Sequence, residues 1–273
     1  MAKSEKTLVE ALGPPHGSID EYYKTVTLAS GQEANIKIWR SNTTPVHERP
    51  LILMFHGGGF MAGSIEMCTR PGHGLDVTRW LSEHAAEELG ASPEKGFIVG
   101  GLSAGGNMAA VLAYQLRKEA LPSPITGSFI SIAPLLIEST VPTKYKHLWT
   151  SRKDNAGGNP YFGEKGDEKM VEILQADAKS PLYSPTNDLP GLEGLSRTYL
   201  QLGDKDPLRD DGVVYAKALE DAGVQVRMDV IPDTAHDCFS IWYDEEKGSP
   251  KALKTKTMEG VAWLLGRTYT ESD

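Results

Sequence analysis

Cysteine is scarce in this chain: Cys68 and Cys238 are the only two in 273 residues, and they stand far apart. Such a pair makes no disulfide framework and fits a reducing compartment. Cys238 lies close to His236, but no second cysteine or histidine is spaced there for zinc. An apolar leader is also missing. The first residues, "MAKSEKTLVEALGPPHGSID", contain no apolar core of the kind a signal peptide carries. No run approaches the roughly 20 apolar residues of a membrane span. The longest, "SFISIAPLLI" (128–137), contains a proline and reads as a buried strand end. Positive charge is in deficit: 28 Lys and Arg stand against 37 Asp and Glu, a formal charge of −9. That argues against a nucleic-acid partner and gives no pull toward anionic lipid. Internal repeats and low-complexity tracts are absent. The expectation is a cytoplasmic protein with no membrane span, no metal and no cofactor. Monomer and homodimer both remain open.

What is present is an ordinary globular mix, 40% hydrophobic and 24% charged. At this length one large α/β domain fits, and residues 1–273 are read as one. Strand and helix patterns alternate. Residues 22–29 and 34–40 read as strands joined by a turn at Ser30-Gly31. Further strands are expected at 50–55, 96–101, 127–134, 197–203 and 225–232. Helices are expected at 75–89, 106–121, 213–222 and 254–268. Apolar strands alternating with helices mean a mostly parallel sheet covered on both faces. Residues 138–195 break the alternation. They are polar and rich in Pro, Gly and Lys, and a loop that long is usually functional or partly helical. They are expected to form a lid over the strand ends; a plain surface excursion is the alternative.

The chemistry concentrates in four stretches. "GLSAGG" (101–106) puts Ser103 in a small-residue turn between an apolar strand and a helix. This is the Gly-x-Ser-x-Gly pattern, which exposes a serine beside a helix N-terminus. A tight structural turn is the bland alternative. "HGGGF" (56–60) sets three glycines at a strand end, where packing gains nothing from them but backbone N–H groups can face a ligand oxygen. A flexible turn would look similar. "GDKDPLRDDG" (203–212) offers Asp204, Asp206, Asp210 and Asp211. It fails as an EF-hand, because Arg209 sits where glycine is needed and Leu208 where a ligand is needed. One of these aspartates could orient a histidine; Asp210 and Asp211 could instead cap the following helix. "PDTAHDCF" (232–239) carries His236, the one histidine of seven that follows both the serine and the aspartates.

Taken in order, these four stretches resemble the hormone-sensitive-lipase-like group of α/β-hydrolases, over about Pro50 to Gly266. The texture is similar to fungal members, some of which act in secondary metabolism. The resemblance implies Ser103 as nucleophile, His236 as general base and Asp206 as orienting acid, with Asp204 the second choice. It implies an oxyanion hole from the N–H groups of Gly57, Gly58 and Ala104, with His56 and Gly59 supporting the loop. It also implies a cap built from residues 1–25 and 138–195 over a small-molecule ester substrate. Trp149, Tyr161, Phe162 and Trp242 are aromatic candidates for the pocket, or for ordinary core. The implied reaction is hydrolysis of carboxylic esters of short to medium acyl chains. The residues alone would also allow an amide, thioester or lactone.

Three departures from that pattern matter. Leu102 stands where many relatives carry Asp or Thr, and Asp-Cys-Phe follows His236 in place of Gly-Phe. The third is larger. Relatives carry a further helix and an apolar strand between "HGGGF" and the helix at 75; here only "MAGSIEMCTRPGHG" stands there. The chain is therefore expected to lack one sheet strand between Phe60 and Leu75, beside the strand ending at His56. Each backbone group left buried and unpaired would cost about 1–3 kcal/mol. Either a neighbouring strand moves in, or this is a shortened, inactive form, as exon skipping or a mispredicted gene would leave. A non-catalytic receptor of the same fold is the remaining alternative.

Overall fold

The computed structural model describes residues 17–60, 71–156, 166–236 and 248–270. Two strands open the described chain. Ile19–Thr27 (β1) and Glu33–Ser41 (β2) pair antiparallel, from Ile19 opposite Ser41 to Thr27 opposite Glu33. The turn between them closes with Gly31 N–H on the carbonyl of Leu28, and Gly31 has φ 79°, a region glycine enters without strain.

The main sheet follows. Leu51–Phe55 (β3) leads to the helix Pro71–Leu89 (α1), then Phe97–Leu102 (β4), the helix Ala104–Leu116 (α2) and Gly127–Ser131 (β5). The stretch after β5 holds short 3₁₀ turns, the single helical turn Ser151–Asp154 (α3) and the helix Gly166–Leu174 (α4). Arg197–Gly203 (β6), Arg209–Asp221 (α5), Val226–Ile231 (β7) and Gly248–Leu264 (α6) complete it. All five strands of this sheet are parallel, in the order β3-β4-β5-β6-β7.

Alternation along the strands sets the two layers. Phe97 and Val99 of β4 pack with Val77, Leu81 and Ala85 of α1 and Ala113 of α2. Ile130 and Leu200 turn to the same face, under Ala109, Ala110, Val214 and Tyr215. Ile98, Phe129 and Tyr199 turn the other way and meet Leu264 of α6. Strands covered on both sides need apolar residues at nearly every position, which is why β4 and β5 read as unbroken apolar or small runs. The sheet is thus the expected α/β layer structure. Helix ends moved against expectation, most at α6, which starts six residues before the predicted 254; near the site, α2 starts at Ala104 directly after the serine, and α5 starts four residues before the predicted 213. Both early turns contain glycine or aspartate, which weaken the periodic signal without preventing a first turn.

The sheet ends at β3. Among the described residues β3 pairs only with β4, and β2 only with β1. Between β2 and β3 lies a cleft of about 450 Å³, lined by Ile36, Ile38, Leu51, Leu53, Val77 and Leu81 among others. No described strand fills it; the strand expected to be missing falls between Phe60 and Leu75. The rest of the segment in question, residues 61–70, lies outside the described residues. Ile52 and Met54 face the α6 side, as Ile98 does, and are 39% and 51% exposed. No described helix is long and apolar enough to cross a membrane.

Candidate active site

Ser103 sits between the last residue of β4 and the first turn of α2, with φ 55° and ψ −121°. A non-glycine residue held there stores about 1–3 kcal/mol of strain, which the surroundings must offset. They do so through backbone: Ser103 N–H donates to Ser131 O at 2.9 Å, and Asn107 N–H donates to Ser103 O at 3.1 Å. Two glycines make the turn possible. A Cβ on Gly101 would lie 2.2 Å from the carbonyl carbon of Gly105. A Cβ on Gly105 would lie 2.1 Å from Phe55 O. The strand, the helix and the end of β3 therefore close on one another in a way no side chain permits.

Ser103 Oγ lies 3.0 Å from His236 Nε2, and His236 Nδ1 lies 2.8 Å from Asp206 Oδ2. With the neutral imidazole carrying its proton on Nδ1, Asp206 accepts it and Nε2 is free to accept from the serine hydroxyl. Exposure is 7% for Ser103, 12% for the His236 side chain and none for Asp206. The serine can be reached from outside and the acid cannot. The other oxygen of Asp206 accepts the N–H of Leu208 at 2.8 Å.

Asp204 does not reach His236. Its Oδ1 accepts Thr234 N–H at 3.0 Å, while Lys205 N–H donates to Thr234 O. Partial burial would raise its pKa, but the N–H groups of Thr234 and Asp233 outweigh that and hold it below the ordinary value. It pins the turn that leads to His236. Asp210 and Asp211 do not cap their own helix with their side chains. Asp211 accepts the N–H groups of Leu135 and Leu136 and the indole of Trp149, and Asp210 accepts Thr150 N–H and Ser151 N–H. Both reach across to the stretch between β5 and β6. Trp149 is tied to Asp211, packs on the core and borders a small cavity with Ile137, Arg152 and Asp167; Tyr161, Phe162 and Trp242 lie outside the described residues.

The glycine loop lies against the serine turn. A Cβ on Gly57 would meet Leu102 O at 3.2 Å and Ser103 Cβ at 3.3 Å. Gly58 and Gly59 have φ of 138° and 61°. Among the described residues, no backbone carbonyl takes the N–H of Gly57 or Gly58. His56 Nδ1 hydrogen-bonds Gly57 O, and its Nε2 is buried with no partner among the described residues. With Ala104 at the N-terminus of α2, these groups can present N–H donors to an oxyanion.

One residue of the site escaped sequence reasoning. Asn107 is 6% exposed and its amide donates to Pro134 O and Tyr183 O, both at 2.8 Å, tying the serine helix to the far side of β5. A lone amide among alanines and glycines was its only signal. No group of three or more His, Cys, Asp or Glu among the described residues is placed to hold a metal.

A family model described as alpha/beta hydrolase fold matches residues 71–240. An AB hydrolase superfamily protein of Schizosaccharomyces pombe is 31% identical over 73% of this chain and 58% of its own length. The versiconal hemiacetal acetate esterase of Dothistroma septosporum is 26% identical over 71% of this chain and 58% of its own. A carboxylesterase of Mycobacterium tuberculosis is 28% identical over 68% and 66%. The chain thus spans 58% of the length of the first two of these relatives. Among solved structures, vibralactone cyclase superposes with a TM-score of 0.82 at 21% identity, covering 97% of this chain and 85% of that one. A thermostable esterase from Pseudomonas putida gives 0.73 at 21% identity, over 99% and 90%.

Proposed function

The chain belongs to the alpha/beta hydrolase fold family, and we propose that it is a serine hydrolase cleaving carboxylic esters of short to medium acyl chains. The observation that carries this reading is the unbroken chain of contacts from Ser103 Oγ through His236 to the buried Asp206. Ser103 attacks the ester carbonyl while His236 Nε2 takes its proton. Asp206 holds the imidazole in the right tautomer and stabilises its charged form. The N–H groups of Gly57, Gly58 and Ala104 receive the oxyanion of the tetrahedral intermediate. His236 then protonates the leaving alcohol, and a water activated by the same base hydrolyses the serine ester. No step calls for a cofactor. Esters are favoured over amides because relatives of this chain are named esterases.

A second reading follows from the open edge of β3: a shortened, inactive form whose oxyanion loop is not held. One experiment separates the two. The purified 273-residue chain is assayed with p-nitrophenyl acetate and butyrate, with Ser103→Ala as control and a thermal melt of the same sample. Turnover lost in Ser103→Ala, with a cooperative melt, is the expected result. A cooperative melt without turnover supports the inactive reading, and turnover kept in Ser103→Ala overturns the assignment of the nucleophile.

A further inference from the structure

Besides the turn at Thr234, the backbone that carries Asp206 is held by one further short segment. Asn155, at the C-terminus of α3, donates its amide to Asp204 O and to Asp206 O, both at 3.1 Å. Ser151 Oγ donates to Pro207 O at 2.7 Å, and Arg152 Nη1 donates to the same carbonyl. These three side chains take three carbonyls of the acid loop, those of Asp204, Asp206 and Pro207.

The segment is itself held by the start of α5. Asp210 Oδ2 accepts Thr150 N–H and Ser151 N–H, each at 2.7 Å, and Asp210 N–H donates back to Ser151 Oγ at 3.1 Å. Arg152 is 3% exposed and pairs with Asp211 at 3.0 Å and Asp167 at 2.6 Å. Residues 150–155 and 204–211 therefore interlock in both directions, each using side chains on the other's backbone. Ordinary surface loops are not tied this way; they leave most backbone groups to water.

We propose that Asn155 and Ser151, with Arg152 anchored behind them, are positioning residues for Asp206: residues 150–155 brace the acid loop so that the carboxylate stays on His236 Nδ1. Whatever else the 138–195 stretch covers, this part of it acts on the acid. The proposal rests on the reading of Ser103, His236 and Asp206 as the reacting chain. Its logic is geometric. Asp206 makes one bond to His236 and one to Leu208 N–H, so its place is set by its own backbone. A displacement of about 1 Å in a catalytic array costs on the order of a hundredfold in rate.

Arg152 is a poor probe, because removing a buried cation strands two carboxylates and threatens the fold. Asn155 is partly exposed and carries the test. Asn155→Ala is expected to lower kcat for p-nitrophenyl butyrate about tenfold, with KM within about twofold, as loss of positioning without loss of substrate contact would. Made on an Asp206→Ala background, the same change is expected to cost less than about twofold, since the residue it positions is gone. Asn155→Gln, which keeps the amide, is expected to restore part of the rate. An equal loss in both backgrounds, or no loss in either, overturns the proposal. Activity surviving Ser103→Ala would instead sink the reading beneath it. A readout without turnover closes the remaining gap: the downfield Nδ1 proton of His236 reports its bond to Asp206. It should vanish in Asp206→Ala and move upfield or broaden in Asn155→Ala. An unmoved resonance there overturns the proposal even in an inactive chain.

Discussion

The two flanks of Ser103 are built to different standards. On one side lie β5, β6 and β7, buried Asp206, and a segment crossing over to hold the acid loop. On the other lies β3, whose outer edge has no described partner and whose Leu51 and Leu53 line an open cleft. In the proposed mechanism, proton transfer depends on the first flank and oxyanion binding on the second. The contrast shows that the two halves of one active site need not share stability. The Asp206 loop is held by Ser151 and Arg152, exposed by 0% and 3%, and by the partly exposed Asn155, whereas the glycine loop gets its shape from close approach to the serine turn.

The largest way to test the closed flank is to alter the acid without changing its size. Asp206→Asn turns an acceptor into a donor facing His236 Nδ1 and favours the wrong tautomer. The expected loss in kcat is about ten-thousandfold, with KM little changed. Steady-state kinetics with p-nitrophenyl butyrate checks it; a loss under tenfold would mean that Asp206 is not the orienting group.

Next in size is a matched pair of truncations in one sheet. Leu200 is fully buried in the cluster under α2 and α5, so Leu200→Ala should cost about 2–5 kcal/mol in urea denaturation. Leu53 borders the cleft, where little new cavity can form, so Leu53→Ala should cost about 1 kcal/mol or less. Equal losses would mean that the cleft is closed in solution and that the contrast between the flanks is wrong.

How much of this was legible depends on how local each constraint is. The sheet was, because a strand buried on both faces must be apolar throughout, as in "FIVGG". The serine turn was, because the close approaches at Gly101 and Gly105 leave glycine as the one residue that fits, which writes the spacing into the sequence. His236 could be named by chain order alone. Which aspartate meets it could not be read from residue type, since four lie within eight positions of one another. Only the fold separates them, sending Asp206 to His236, Asp204 to the next turn, and Asp210 and Asp211 across to the 138–195 stretch. Asn155 and Arg152 were illegible for the same reason: their partners lie about fifty residues on, and such pairs leave no local pattern.

A smaller effect is expected from pH. One Arg152 lies between two buried carboxylates, Asp167 and Asp211, so the cluster carries an excess negative charge. Burial pushes Asp167 up to about 6; Arg152 opposes this, while Asp211 and Glu168 add to it. The folded state thus binds this proton more tightly than the unfolded chain, whose value is near 3.8. Stability from this group is present at low pH and is lost as pH rises through about 6. Asp167→Asn should flatten the urea midpoint between pH 5 and 7, removing a slope of about 1–2 kcal/mol across that window. An unchanged slope would mean that Arg152 fully compensates the pair.

The smallest expected effect tests the open edge most directly. Met54 is 51% exposed on the outer strand, facing the side where α6 covers Ile98 and Phe129 but not β3. A lysine there should change stability by no more than about 0.5 kcal/mol, because its charge stays in water. It should also slow aggregation on heating, since a charge on an unpaired edge blocks strand-to-strand addition. Light scattering during a thermal ramp, beside the urea midpoint, reads both. If Met54→Lys unfolds the chain, something covers β3 in solution, and the oxyanion flank is as closed as the acid flank. If it is silent in stability and slows aggregation, β3 is a true edge. The oxyanion loop then hangs from it by little more than the contact between Gly57 and the serine turn.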